Sequence, residues 1–189
     1  DLKGKPFEAV HKTDRFWDRA DAYRIYEHIK DNPATISDIK KTTKAVLPPF
    51  PFDLTSLQIE AYRCFGTSPK QTLVVAQKLY TAALISYPRT SSQKLPPAIG
   101  YGKIIKKLAS QPRFTEEANI VLQGKLNPTQ GKKIDSAHPA IYPTGERPKS
   151  LASDELMIYD LIVRRFLACF GKPGEREFTN IKFDISNEL

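Results

Sequence analysis

The nine residues LISYPRTSS, Leu84 to Ser92, place a phenol, a ring-locked imide and a guanidinium side by side at Tyr87, Pro88 and Arg89. A phenol can attack phosphorus as a nucleophile, and a guanidinium keeps its proton and forks onto two phosphoryl oxygens. Proline fixes its own φ and stiffens the backbone between them. An ordinary tyrosine phenol, with a pKa near 10, is ionised in only about one copy in a thousand at pH 7. Attack therefore needs neighbours that stabilise developing charge or take the proton. Ser86, Thr90 and Ser91 supply hydroxyls around the triplet. A Tyr-x-Arg triplet alone is commonplace and has most often a surface or packing role, so the rest of the chain must give it meaning. A second segment, AHPAIYPTG at Ala137 to Gly145, sets His138 among small residues and prolines in a turn-rich stretch.

The elements that must hold these residues have clear punctuation. After the stiff PPFPF stretch at 48–52, Thr55 and Gln58 read as a T-x-x-Q capping box, opening a helix with Leu57, Ala61 and Phe65 on one face. Gly66 breaks it. Ser68, Pro69 and Gln71 then give an N-cap, a proline at the first helical position and a glutamine at the third. Leu73, Ala76, Tyr80 and Leu84 follow at helical spacing, leading into a short apolar run whose end, as a strand, carries Tyr87. Two helices joined by a short glycine-containing turn fit a helix-turn-helix with a wing strand, and equally an ordinary helical hairpin.

Further on, Ile99, Ile104, Ile105 and Leu108 oppose Lys103, Lys106 and Lys107 on one helix, and another helix begins near Thr115 with Glu116 and Glu117 in its first turn. Residues 124–133 read as a mobile polar loop. The best-defined helix starts at Ser153 as cap, buries Leu156, Tyr159, Val163, Phe166 and Phe170, carries Arg164 and Arg165 toward its C-terminal half, and stops at Gly171.

Strands are expected nearer the ends. GKPFEAVHKT at 4–13 reads as one, and ATISDIKKTTKAVL at 34–47, rich in β-branched residues, as another. Between them Asp18 opens a helix bearing Tyr23, Tyr26 and Ile29, which Pro33 ends. Ile181, Phe183 and Ile185 alternate with polar residues as a half-buried strand. The fold class is α+β, predominantly helical, with residues 53–173 inserted between strand-containing segments 1–52 and 174–189.

With 189 residues, 40% hydrophobic and 26% charged, the composition is that of a globular protein. No apolar run approaches the roughly 20 residues of a bilayer span, and no signal-peptide core is visible, so the expected compartment is cytoplasmic. Cys64 and Cys169 form no metal or disulfide pattern and read as buried thiols. Twenty-nine Lys and Arg against 21 Asp and Glu give +8, which favours a polyanionic partner, though a merely solvated basic surface gives the same sum.

PFDLTSLQ at 51–58, AQKLYTAALISYPRTSS at 76–92, AHPAIYPTG, and IYDLIVRRFLA at 158–168 together, in this order and approximate spacing, resemble type IA DNA topoisomerases, the SYPRTSSQKLP flavour being most similar to archaeal members. The resemblance covers nearly the whole chain. It implies a winged-helix-like, tyrosine-bearing domain III inserted into part of domain II, the arch of a toroid. It implies that Tyr87 attacks single-stranded DNA to form a 5′-phosphotyrosine, permitting strand passage and relaxation of negative supercoils. Arg89 then contacts the scissile phosphate, and His138 contacts phosphate, positions the site or transfers a proton. Gln58 and Gln77 match recurring positions and are candidates for DNA contact or positioning, with Ser86, Thr90 and Ser91.

The resemblance also implies what should be elsewhere. Family members bind Mg2+ in an acidic Toprim domain, and no acidic cluster or metal-ligand spacing occurs in this chain, so no metal ligand is assigned here. The expected partners are single-stranded DNA and the missing Toprim and toroid domains of a parent chain, with no membrane and a nucleoid-associated location. The chain is accordingly expected to be a fragment, inactive alone. Two competing readings are a non-catalytic winged-helix DNA-binding module, which leaves the joint occurrence of LISYPRTSS and AHPAIYPTG without a reason, and a protein-interaction scaffold with solvating lysines.

Overall fold

A computed structural model describes residues 8–185. The chain separates into two compact units, one formed by Val46–Gly174 and the other by the chain up to Ala45 together with that from Glu175 onward.

In the second of these, α1 spans Arg19–Ile29, with the Asp18 carboxylate accepting the Ala20 N–H at its start. β1, Thr35–Val46, pairs with β2, Gly174–Asp184, in a two-stranded sheet. Thr35 Oγ1 donates to the Asp184 carbonyl and Ser37 Oγ to that of Lys182, so one index falls as the other rises and the pairing is antiparallel. The strand expected at 181–185 is present, with Phe183 and Ile185 half-buried as the alternation requires, whereas Ile181 remains 42% exposed. The strand expected at 4–13 falls partly outside the described residues, and Glu8–Thr13 is irregular. There His11 Nδ1 accepts the Thr13 N–H, turning the chain locally where a strand would extend it.

The unit Val46–Gly174 holds the hydrophobic core. α2, Leu54–Phe65, is capped by Asp53 and Ser56, not by Thr55 and Gln58: Ser56 N donates to Asp53 Oδ1 at 2.7 Å, and Asp53 N to Ser56 Oγ at 3.1 Å. An ionised carboxylate two residues earlier is the stronger acceptor for the free N–H groups of a helix start. Gly66 ends α2 in the left-handed conformation, at φ +68°. Leu57 and Ala61 are buried as expected, whereas Phe65 is 41% exposed. α3, Pro69–Thr81, begins as the sequence indicates, with Ser68 Oγ accepting the Gln71 N–H at 3.2 Å. Its core stripe is Thr72, Val75, Ala76 and Leu79, while Leu73 is only half-buried and Tyr80 is 41% exposed. The stripe turns away from the expected one because α3 packs on both α2 and α6, which selects the face between them.

A short 3-10 turn, Pro97–Ile99, leads into α4, Tyr101–Ala109, which packs against α5, Thr115–Leu122. α4 buries Ile104, Ile105 and Leu108 and leaves Lys103, Lys106 and Lys107 exposed, as the pattern requires. α6, Ser153–Ala168, takes Ser153 as its first helical residue rather than its cap; Glu155 reaches back to accept the Ala152 N–H at 3.1 Å. Tyr159, Val163, Phe166 and Phe170 are buried, and helical hydrogen bonding ends before Gly171. Arg164 pairs with Asp160 and Glu117, and Arg165 lies over the Phe52 ring at 4.2 Å, so both tie the unit together. Of the two thiols only Cys169 is buried, and burial pushes it up to about 12; Cys64 is exposed.

The loop at 124–133 is anchored rather than mobile. Gly131 N donates to the Gln93 carbonyl at 3.0 Å, Gln93 N donates to that of Lys133 at 3.0 Å, and Gln130 exchanges two hydrogen bonds at 2.9 Å with the backbone of Leu95. A Cβ on Gly131 would fall 2.5 Å from the Gln93 Cβ, which cannot swing away as a side-chain end could, so glycine is what permits this approach.

Candidate active site

Tyr87 sits just beyond the end of α3, and the path to it is a tight reversal. Ala83 takes the left-handed conformation, φ +57°, and its carbonyl accepts the Thr144 hydroxyl at 2.7 Å. A non-glycine residue held there is strained, and the strain is kept by the bonds on either side. From Leu84 the segment runs alongside residues 137–145. No regular wing strand forms; Ile85 and Pro143 make a single antiparallel bridge, and Phe52 and Ile141 another. Tyr87 therefore lies two residues past a bridge instead of at the end of a strand.

Hydroxyls fasten the two segments. Ser86 Oγ donates to the Ala140 carbonyl at 3.2 Å and accepts the Tyr142 N–H at 3.0 Å, while Ser86 N donates to the Tyr142 carbonyl at 2.8 Å. Thr90 Oγ1 donates to the His138 carbonyl at 3.4 Å and accepts the Ser92 N–H at 3.0 Å. Ser91 donates through both its N–H and its hydroxyl to Asp135 Oδ2, each at 3.4 Å. Of the candidates named from sequence, these three thus face the companion segment and act as fasteners.

This fastening brings Tyr87 and His138 together. Their ring centroids are 4.6 Å apart with planes inclined at 48°, and Tyr80, on α3, meets the Tyr87 ring edge-on at 5.3 Å. Tyr87 is half-buried, with no hydrogen bond to its hydroxyl among the described residues, and His138 is exposed. Burial raises the phenols of Tyr101 and Tyr142 above the ordinary value, and that of Tyr159 to about 12. Arg89 is exposed and forms no ion pair among the described residues, whereas Arg113, Arg164 and Arg165 are all engaged with carboxylates.

Arg89 and Gln77 line one open cleft of about 840 Å³, whose walls include Lys70 beside the apolar Leu73, Val74 and Leu151. Gln58 is not part of it. Its amide donates to the Pro69 carbonyl at 3.0 Å and joins α2 to the start of α3. Sequence reasoning missed Tyr80 as a neighbour of Tyr87, read Asp53 only as flank, and did not consider Asp135. The signal for Asp135 was local: Asp followed by Ser-Ala-His invites an aspartate-capped turn.

Among the described residues no group of three or more His, Cys, Asp or Glu side chains is placed to hold a metal ion. The carboxylates bonded to the ends of the tyrosine segment are already taken, Asp135 by backbone N–H groups and Ser91, Asp53 by Ser56 and by Lys133 at 2.9 Å. These residues do not fit a magnesium site.

The family model described as DNA topoisomerase matches residues 2–189. The chain belongs to the DNA topoisomerase family. It is 46% identical over 181 residues to DNA topoisomerase 1 of Pyrococcus horikoshii, covering 94% of this chain and 26% of that protein. To DNA topoisomerase 3 of Caenorhabditis elegans it is 31% identical over 186 residues, covering 94% and 24%. Its fold is similar to that of full-length topoisomerase I from Thermotoga maritima, with a TM-score of 0.64 and 28% identity, covering 95% of this chain and 29% of that one. The chain thus spans about a quarter of the length of these relatives. The archaeal flavour of the tyrosine segment agrees with identity near 45% to archaeal relatives, against 31% to the nematode protein. No helix of the described residues is long and apolar enough to cross a membrane.

Proposed function

We propose that this chain supplies the nucleophile-bearing part of a type IA DNA topoisomerase. The Tyr87 oxygen attacks a phosphodiester of single-stranded DNA; the bond from phosphorus to the 3′ oxygen breaks, and that oxygen leaves as a 3′ hydroxyl after taking a proton. The DNA 5′ end remains on Tyr87 as a phosphotyrosine. Attack by the 3′ hydroxyl reverses the reaction, and strand passage between the two steps relaxes negative supercoils. The covalent link preserves the phosphoester for resealing without an external energy source.

The observation that carries this reading is the pairing of a half-buried Tyr87, ringed by His138 and Tyr80, with an exposed and unpaired Arg89 two residues on. The guanidinium supports the charge that develops on the phosphoryl oxygens. His138 contacts phosphate or moves the phenol proton. The cleft containing Arg89, Gln77 and Lys70 offers the strand a basic, partly apolar bed. In this reading residues 53–173 are the tyrosine-bearing domain III and residues 1–52 with 174–189 part of domain II; a magnesium-binding Toprim domain and the rest of the toroid belong to a longer parent that acts on the cytoplasmic nucleoid.

The test is covalent capture in the full-length parent. Incubated with labelled single-stranded oligonucleotide and denatured, the parent carries label on Tyr87; Tyr87→Phe carries none, and an adduct surviving that substitution sinks the assignment. The 189-residue chain alone is expected to bind single-stranded DNA weakly and to fail to relax supercoiled plasmid, and relaxation by the purified chain would overturn that expectation.

A further inference from the structure

Asp135 sits where the two halves of the site meet. Its Oδ1 accepts the N–H groups of Ala137 and His138 at 2.9 and 3.1 Å, and its Oδ2 accepts the N–H and the hydroxyl of Ser91 at 3.4 Å each. We propose that Asp135 is a positioning residue for the nucleophile, a carboxylate clasp that sets the His138 ring against Tyr87 by holding the backbones of both segments. The inference rests on the reading of Tyr87 as nucleophile.

Three features favour a clasp over an incidental surface contact. His138 is exposed, so no core packing fixes its ring; the position of its backbone does. Ser86 and Thr90 bind carbonyls of the companion segment, whereas the N–H of His138 itself goes to Asp135. The backbone bonds from Ala137 and His138, followed by those from Ser91, hold the carboxyl below the ordinary carboxylate range, so at neutral pH it is the acceptor-only anion that four donors require. The Ser91 hydroxyl proton is consumed in this clasp, which removes it from phosphate binding.

Geometry and charge make different demands, and substitutions separate them. Asparagine keeps the oxygen that closes the tight turn onto Ala137 and His138 and loses the charge. Glutamate keeps the charge but adds a methylene, which the two- and three-residue rings do not accommodate. The experiment measures, in the full-length parent, the dissociation constant for a single-stranded oligonucleotide and the single-turnover cleavage rate of the bound strand. Asp135→Ala is expected to slow cleavage at least tenfold with the dissociation constant within about twofold, because a displacement near 1 Å in a reacting constellation costs up to about a hundredfold. Asp135→Asn recovers most of the rate and Asp135→Glu does not. Unchanged cleavage in Asp135→Ala, a parallel loss of binding and cleavage, or recovery by glutamate rather than asparagine each overturns the clasp. If the alanine variant does not fold, the asparagine–glutamate comparison still decides. Tyr87→Phe serves as reference: an adduct surviving there defeats the nucleophile assignment, whereas its loss there alongside normal cleavage by Asp135→Ala defeats only the clasp.

Discussion

At the scale of single residues, the site is defined by which polar groups are spent and which are left over. Ser86, Thr90, Ser91 and Asp135 spend their hydrogen-bonding capacity on joining the tyrosine segment to residues 135–142, whereas Arg89 spends none on a carboxylate among the described residues. An unpaired guanidinium two residues along the chain from a half-buried phenol is the group that a phosphoryl transition state would use. Loss of one such charged donor typically costs about a hundred- to a thousandfold in rate. Arg89→Ala in the parent should lower single-turnover cleavage by about that factor while Tyr87 remains able to react slowly. Arg89→Lys should sit between, because the ammonium restores charge but not the planar fork. Equal rates for wild type and Arg89→Ala would remove Arg89 from the chemistry.

At the scale of elements, the bends that deliver Tyr87 and the cap that starts α2 decide the geometry. Asp53 is 1% exposed yet charged, and it holds the Ser56 N–H and hydroxyl together with Lys133, linking the start of α2 to the anchored 124–133 loop. Burial works to raise its pKa, but the hydrogen bonds from Ser56 and Lys133 outweigh it and leave the carboxyl below the ordinary 3.8. A depressed folded-state pKa means that this contribution is present above the unfolded value and fades as the pH falls through the folded one. Asp53→Ala should cost about 2 kcal/mol at pH 7, combining a lost cap with lost charged hydrogen bonds, and Asp53→Asn about half of that. Urea unfolding at pH 7 and again below pH 3 checks this. The gap between wild type and Asp53→Asn should narrow in acid, and a gap that widens would reverse the sign. Much of this level was legible in the sequence: Ser68-Pro69 and Gly66 punctuate the α2–α3 pair as read, since caps act through neighbours a few residues away. The α3 stripe was not, because it depends on packing between α2 and α6; of Asp135 only the local turn was legible, its bonds to Ser91 lying 44 residues away. The strand at 35–46 was readable from β-branched content and only the last part of that at 174–184 from the alternation over 181–185; the exposure of both depends on tertiary surroundings.

For the whole molecule, the question is whether the +8 charge is general solvation or a path for a polyanion. Several cations are internally matched: Arg164 and Arg113 with Asp160, Lys78 with Glu155, Lys107 with Glu146. On the cleft that Arg89 lines the balance differs, with Arg89 and Lys70 in no ion pair among the described residues, which offers part of the excess to a polyanion. A strand engaging Arg89, Lys70 and one or two further cations contacts about three to four phosphates, for which log affinity falls with log salt at a slope of about −2 to −3 for single strands. Between 50 and 200 mM salt the 189-residue chain should lose roughly 15- to 60-fold in affinity for a single-stranded oligonucleotide. Arg89→Ala should flatten that slope by about 0.7, the increment for one phosphate. Fluorescence anisotropy across a salt series reads both quantities and also compares duplex with single strand. Tighter binding to duplex would favour groove reading by the α2–α3 pair, and a salt-independent affinity would reduce the basic excess to solvation. A slope in the expected range that Arg89→Ala leaves unchanged would move the DNA path off the cleft, while leaving the Tyr87–His138 pairing intact.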